Sequence, residues 1–305
     1  MLGKGRSMRV GLMTFALFIA QAVPAHPQNA LEPITVTHVQ GSLYVINGAI
    51  DEIGVSVGKD GILLVDGGYM ETFSGVRKAI KGFGKGMPKF LINTHWHHAF
   101  ANEAFGSSTV LISHRLARER LQHENTMYTY EVAVQPSIAW PVVTFDETLT
   151  IHLNGEEISL IYLPQAHTDG DIAVIFHQSN AVLTGDVFVP SIPGIDNATG
   201  GTVAGLQAGI DKLLRIVPKD ARIIPGRGRV SAYSDLLAFL LAFQELVADS
   251  VQFVKSELSA GKTLAEIKAT GVPDKWKSWE KEVPQEMFVE SIYKQLRGEN
   301  SRRTQ

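Results

Sequence analysis

His95 and His97 stand two residues apart, directly after the short apolar run Lys89 to Asn93, in the stretch Asn93-Thr94-His95-Trp96-His97-His98. At the end of a strand, side chains at i and i+2 point to the same side, so both imidazoles can reach one ion. Neutral imidazole nitrogens suit zinc, and a catalytic zinc commonly keeps three protein ligands and one open position. His167 is the best candidate for the third, in the polar segment Gln165-Ala166-His167-Thr168-Asp169-Gly170-Asp171 between two expected strands. Asp186, in Thr184-Gly185-Asp186 after the run 181–183, can bind a metal itself or orient an imidazole from outside. A histidine pair at this spacing is weak evidence alone. Three titratable loops, each following an apolar strand, are stronger, because strand ends commonly build active sites.

The elements that must hold these loops are legible as blocks. Between about Val36 and Val65 the chain reads as short strands (42–46, 53–57, 62–65) with turns at Gly41, Asn47-Gly48 and Lys59-Asp60-Gly61. Residues 72–82 read as a helix closed by Gly82, and 115–131 as an exposed polar helix. A second β-rich block covers 142–145, 149–153, 158–163, 172–176 and 181–183. A helix follows over about 202–217, with Thr202 as its N-cap, then a last strand at 222–224. From Ser231 the chain is mainly helical, with a broad apolar face from Leu236 to Phe243. Strand block, helix, strand block, helix suggests two sheets covered by helices in one domain, over 26–234, with a helical segment 235–305 packed on it.

The 305 residues are 45% hydrophobic and 19% charged, enough to bury a large core and unlike a disordered tail protein. A net charge of −3 is no electrostatic footprint for nucleic acid. Cysteine is absent, which removes disulfides, thiolate metal sites and thiol nucleophiles, so any metal must use His, Asp or Glu. Lys4, Arg6 and Arg9, then the apolar run 10–23 and small residues up to Ala25, read as a secretory signal peptide over 1–25. Removing its three cations takes the net charge to −6. No other segment reads as long and apolar enough to span a bilayer. The expectation is a periplasmic or secreted protein with no stable membrane span and a small-molecule substrate. Its oligomeric state is not legible.

In order and spacing, these residues resemble the metallo-β-lactamase-fold hydrolases over nearly all of the chain after the leader. The family pattern is T-H-x-H-x-D-H after a strand, then a later His, an Asp, and a late His in P-G-H-G. The matching stretches are Thr94-His95-Trp96-His97, Ala166-His167-Thr168-Asp169-Gly170-Asp171, Thr184-Gly185-Asp186 and Pro225-Gly226-Arg227-Gly228, with Asp66-Gly67-Gly68 as an early Asp-Gly turn. The resemblance implies an α/β fold, a four-layer αββα sandwich, with metal at one edge of the sheets.

The departures from that pattern bear on chemistry. After His97 the chain reads His98-Ala99-Phe100-Ala101-Asn102, two residues short of the pattern. His98 is either the family's fourth histidine or the variable residue before a missing Asp. In both alignments the motif lacks the Asp that the family uses for the second metal and for orienting the attacking water. Arg227 stands where the late histidine is expected, and a guanidinium cannot ligate a cation. It can instead pair with Asp186 or meet a substrate anion. One metal is therefore expected rather than two, on His95, His97 and His167, with Asp186 and His98 as the remaining second-site candidates. A single zinc ion still acidifies water and polarises a carbonyl.

The leading expectation is an exported zinc-dependent hydrolase of an ester, amide or lactam carbonyl, with Asp186 and Arg227 as its catalytic side chains. The rivals are an inactive binding or vestigial member of the fold, and a mononuclear iron oxygenase built on His95, His167 and Asp186. Fold resemblance alone does not choose the substrate. Asp169 and Asp171 are read mainly as turn residues, and Asp66 as structural. The run Met127-Tyr128-Thr129-Tyr130 is read as one face of a helix rather than the border of a substrate groove.

Overall fold

The computed structural model describes residues 33–279 and 283–298. The leader expected over 1–25 lies outside the described residues. The first half supplies β1 (Thr35–Gln40), β2 (Leu43–Ala49), β3 (Asp51–Gly58), β4 (Gly61–Val65), β5 (Phe90–Ile92), β6 (Val110–His114), β7 (Asn125–Met127), β8 (Tyr130–Val132) and β9 (Val143–Phe145). All but β7 and β8 form one seven-stranded sheet in the order β1-β2-β3-β4-β5-β6-β9. The second half supplies β10 (Thr148–Leu153), β11 (Glu156–Leu163), β12 (Asp171–Phe176), β13 (Ala181–Leu183), β14 (Arg222–Ile224) and β15 (Ser231–Ala232), which form a second sheet in chain order. The helices are α1 (Phe73–Gly82), α2 (Asn102–Phe105), α3 (Arg115–Leu121), α4 (Val203–Ile216), α5 (Tyr233–Ser259), α6 (Leu264–Thr270) and α7 (Gln285–Arg297).

Side chains alternate across a strand, and here both faces of each sheet are apolar. Leu63 and Val65 of β4 join Ile158, Leu160, Ile172, Val174 and Phe176 in a core between the sheets. The intervening Ile62 and Leu64 face the other way, onto Val76 and Ile80 of α1. Ala173, Ile175 and Val182 likewise face outward, onto Leu206 and Ile210 of α4. Two sheets back to back with helices outside each make the four-layer αββα sandwich. Each fully buried aliphatic side chain contributes roughly 1.5–3 kcal/mol.

Helix α4 starts where Thr202 accepts a hydrogen bond from the Gly205 amide, as an N-cap should. Helix α5 has 27 residues and is apolar enough by length and composition to cross a membrane, contrary to the sequence expectation. Its Leu236, Phe239, Phe243 and Leu246 nevertheless pack with Val182 of the second sheet and with Phe288 and Ile292 of α7. That makes it a core helix of the outer layer.

The helix expected over 115–131 is also corrected. Helix α3 stops at Leu121, because Asn125 turns back and donates to the Arg120 and His123 carbonyls at its end. The residues beyond, with Thr126, Tyr128 and Tyr130, form the antiparallel hairpin β7–β8 instead. Tyr128 sits at its tip in the left-handed region, with φ 55°.

Candidate metal centre

Strand β5 ends at Ile92, so the histidine pair is not presented by a regular strand. His95 is extended, with φ −160° and ψ 177°, and Trp96–Ala99 is a 3-10 turn. Crossed side-chain amides hold this turn: Asn102 Nδ2 donates to Asn93 Oδ1 at 2.8 Å, and Asn93 Nδ2 donates to the His98 carbonyl at 3.2 Å. Trp96 packs inward, almost fully buried, and donates from its indole to Thr199 Oγ1 at 3.2 Å.

The structure brings His95, His97 and His167 together, each offering one nitrogen within 4.8 Å of the others. The outer hydrogen bonds assign which nitrogen that is. Thr94 Oγ1 donates to Asp66 Oδ2 at 2.8 Å, so it accepts from His95 Nδ1 at 3.1 Å. The His95 Nε2 lone pair then faces inward, buried and without a hydrogen-bond partner. His97 Nε2 donates to the Asp196 carboxylate at 3.0 Å, leaving Nδ1 bare. His167 Nδ1 donates to the Gly194 carbonyl at 2.8 Å, which puts the ring hydrogen on Nδ1 and makes Nε2 an acceptor. His97 Nδ1 and His167 Nε2 stand 3.0 Å apart as two acceptors face to face. Such an arrangement is unfavourable until a cation joins it, and three converging imidazole nitrogens are the donor set zinc prefers. The residues present therefore fit a metal ion.

Burial, helped by the nearby His98 charge, holds His95 well below its ordinary value. Burial likewise takes His97 down to about 4, against the opposing bond from Asp196. Both are neutral near pH 7, the state a ligand needs.

His98 lies beside this cluster, fully buried. Its Nδ1 is 3.0 Å from Asp66 Oδ2, and its Nε2 is 3.1 Å from Asp51 Oδ1 and 3.4 Å from Asp186 Oδ1. Burial opposes its charge, but the three carboxylates outweigh that and hold it well above the ordinary histidine value. Asp186 Oδ2 is 3.9 Å from His95 Nε2 and 3.8 Å from His167 Nε2. Among the described residues no donor is aligned on either Asp186 oxygen in hydrogen-bond geometry; Arg227 and His98 stand beside them as charges. Burial would raise Asp186, but Arg227 and His98 outweigh it and keep it ionised. His95, His98 and Asp186 form a second, overlapping group of ligand type.

Arg227 reaches across the sheets. Its Nε donates to Asp51 Oδ1 at 3.1 Å, and its Nη2 stands 3.5 Å from Asp186 Oδ2. Asp66 accepts the Thr94 amide at 2.8 Å and so is structural, as expected. Asp171 accepts the Thr168 amide at 2.7 Å and Asp169 pairs with Arg120 at 2.6 Å, which are turn and bracing roles.

Sequence reasoning missed Asp51 and Asp196, and misread Tyr128. The Tyr128 ring lies 5.6 Å from that of His97 and 6.1 Å from that of His167, so the hairpin tip borders the site. An alternation of aromatic and β-branched residues around Tyr128 was the available signal for a hairpin. Asp51 and Asp196 carried none beyond being acidic residues near glycine.

This combination of sandwich and histidine cluster defines a class, the metal-dependent hydrolases of the αββα fold. The metallo-beta-lactamase superfamily pattern matches residues 40–227, and the chain belongs to that family. It is similar to a probable metallo-hydrolase of Streptococcus pyogenes serotype M6, with 24% identity over 204 residues, 64% of this chain and 82% of the relative. Among solved structures it resembles a metallo-beta-lactamase from Pontibacter korlensis, with TM-score 0.58 and 18% identity over 69% of this chain and 99% of that one. It also resembles the stereoselective inverting sec-alkylsulfatase Pisa1 from Pseudomonas sp., with TM-score 0.60 and 14% identity over 86% of this chain and half of that one.

Proposed function

We propose that the chain is an exported, mononuclear zinc hydrolase acting on an ester, amide or lactam carbonyl of a small molecule. The observation that carries this reading is the clustering of one nitrogen from each of His95, His97 and His167 within 4.8 Å, the other nitrogen of each ring being hydrogen-bonded to a different outer partner. Zinc bound there would supply Lewis acidity and would lower the pKa of water to about 7. Asp186 stays ionised, so it orients an attacking water by accepting its hydrogen bond. Arg227, fixed by Asp51 and about a quarter exposed, meets an anionic substrate group or the developing oxyanion. Export is proposed on the leader-like residues 1–25 alone.

A single ion is proposed because two cations already neighbour the carboxylate a second ion would need. A second zinc at His98 and Asp186 requires His98 to lose a proton that three carboxylates stabilise, and Asp186 to leave Arg227.

Elemental mass spectrometry on the purified chain, followed by a hydrolysis screen, tests the reading. The screen covers lactams, thioesters, lactones and, because one structural relative is an alkylsulfatase, alkyl sulfates. About one zinc per chain with turnover of one class is expected. Two ions per chain would sink the mononuclear reading. Bound iron with oxygen uptake would replace the hydrolase by an oxygenase. No metal after zinc loading would leave a binding or vestigial protein.

A further inference from the structure

We propose that Asp196 is the positioning residue that makes Nδ1 the ligating edge of His97 and ties that imidazole to the tip of the β7–β8 hairpin. The geometry stands by itself; its consequence for metal binding rests on the three-histidine reading above. Asp196 is fully buried. Its Oδ2 accepts from His97 Nε2 at 3.0 Å and from Thr199 Oγ1 at 2.7 Å. Its Oδ1 accepts from the Ala198 amide at 3.1 Å and from the Tyr128 amide at 3.3 Å. Each of these four partners is a donor or can donate, so the group serves as a carboxylate acceptor and the hydrogen on His97 belongs on Nε2.

The same short segment grips the second ligand. The Asp196 amide donates to the His167 carbonyl at 2.9 Å, and the Gly194 carbonyl receives His167 Nδ1 at 2.8 Å. Residues 194–196 thus set the ring orientation of two of the three histidines. Tyr128, in the left-handed region at the hairpin tip, is held beside both rings by the hydrogen bond its backbone amide donates to Asp196 Oδ1. Outer partners of this kind typically govern 10–100-fold of metal affinity.

Asp196→Asn isolates the effect. An amide nitrogen in place of Oδ1 would face two backbone N–H groups and strand them. In place of Oδ2 it meets the Thr199 hydroxyl, which can accept, and it meets His97. There it offers His97 a hydrogen, which favours protonation at Nδ1 and blocks the ligating edge. The first measurement uses the wild-type, metal-free chain with 15N-labelled imidazoles, read by two-bond 1H–15N NMR. The expected result is His97 protonated at Nε2 and bare at Nδ1; protonation at Nδ1 would overturn the proposal. The second is zinc affinity by chelator competition, where D196N is expected to bind about 10–100-fold more weakly, with His97 moved to the Nδ1–H tautomer. A folded D196N that keeps the wild-type tautomer and affinity also overturns it. If D196N does not fold, the wild-type spectrum still decides. Should the wild type show the Nε2–H tautomer yet bind no zinc, the metal reading fails and the positioning of His97 by Asp196 stands.

Discussion

Arg227 Nη2 stands 3.5 Å from Asp186 Oδ2, which sets a permanent positive charge against the carboxylate that faces His95 Nε2 and His167 Nε2 at 3.9 and 3.8 Å. A second metal ion at Asp186 would have to compete with that guanidinium and with charged His98. Charge, not a missing ligand alone, is the expected cause of a single bound ion.

Replacing the guanidinium tests this directly. Arg227→His removes the fixed charge and supplies an imidazole beside Asp186 and His98. Zinc content is expected to rise from about one to about two ions per chain, read by elemental mass spectrometry. A variant that stays at one ion would show that the shortened loop at His98, rather than Arg227, limits the site.

Asp186→Asn keeps the size of the side chain and removes its charge. With the three histidines intact, bound zinc is expected to persist, while kcat falls by about 10²-fold or more, the scale of a lost proton-handling group. Retained kcat would mean that another group orients the water.

The metal-free chain should show an acid sensitivity traceable to His97. Its folded value is about 4, below the ordinary 6.5 that applies when unfolded. As pH falls from 6.5 towards 4, the unfolded chain takes up this proton first, so the group removes stability, at up to about 1.4 kcal/mol per pH unit. Above 6.5 it contributes no slope. His97→Gln is expected to flatten the dependence of urea unfolding on pH in that window by about one proton. Equal slopes in the two proteins would contradict the depressed value.

Gly226 lies directly beneath the carboxylate. A Cβ built there would meet Asp186 Oδ1 at 2.0 Å and the Gly185 backbone at 2.7 Å. Gly226→Ala must push Asp186 aside, so a loss of about 1–3 kcal/mol in urea unfolding is expected, together with lower turnover. A fully active, fully stable variant would show that Asp186 need not sit where it does.

Much of the scaffold was legible because its signals are local. The apolar alternation of Ile62 to Val65, or of Ile172 to Phe176, is a property of consecutive residues, and so are the turns and the Thr202 cap. The ligand candidates His95, His97, His167 and Asp186 were legible from their positions after apolar strands and from the motif they share with the family. The tip of the hairpin at Tyr128 was misread because a short segment rich in polar residues satisfies either period until its partner strand is known. What the tertiary structure alone decided is the outer set of partners. Asp51 meets Arg227 across 176 residues of chain, and Asp196 meets His97 across 99. No spacing rule links such pairs, because they meet only when the loops of two different sheets close over one edge. Those contacts choose which nitrogen of each histidine faces inward and which carboxylates carry charge, and so convert a list of ligand-type residues into a site.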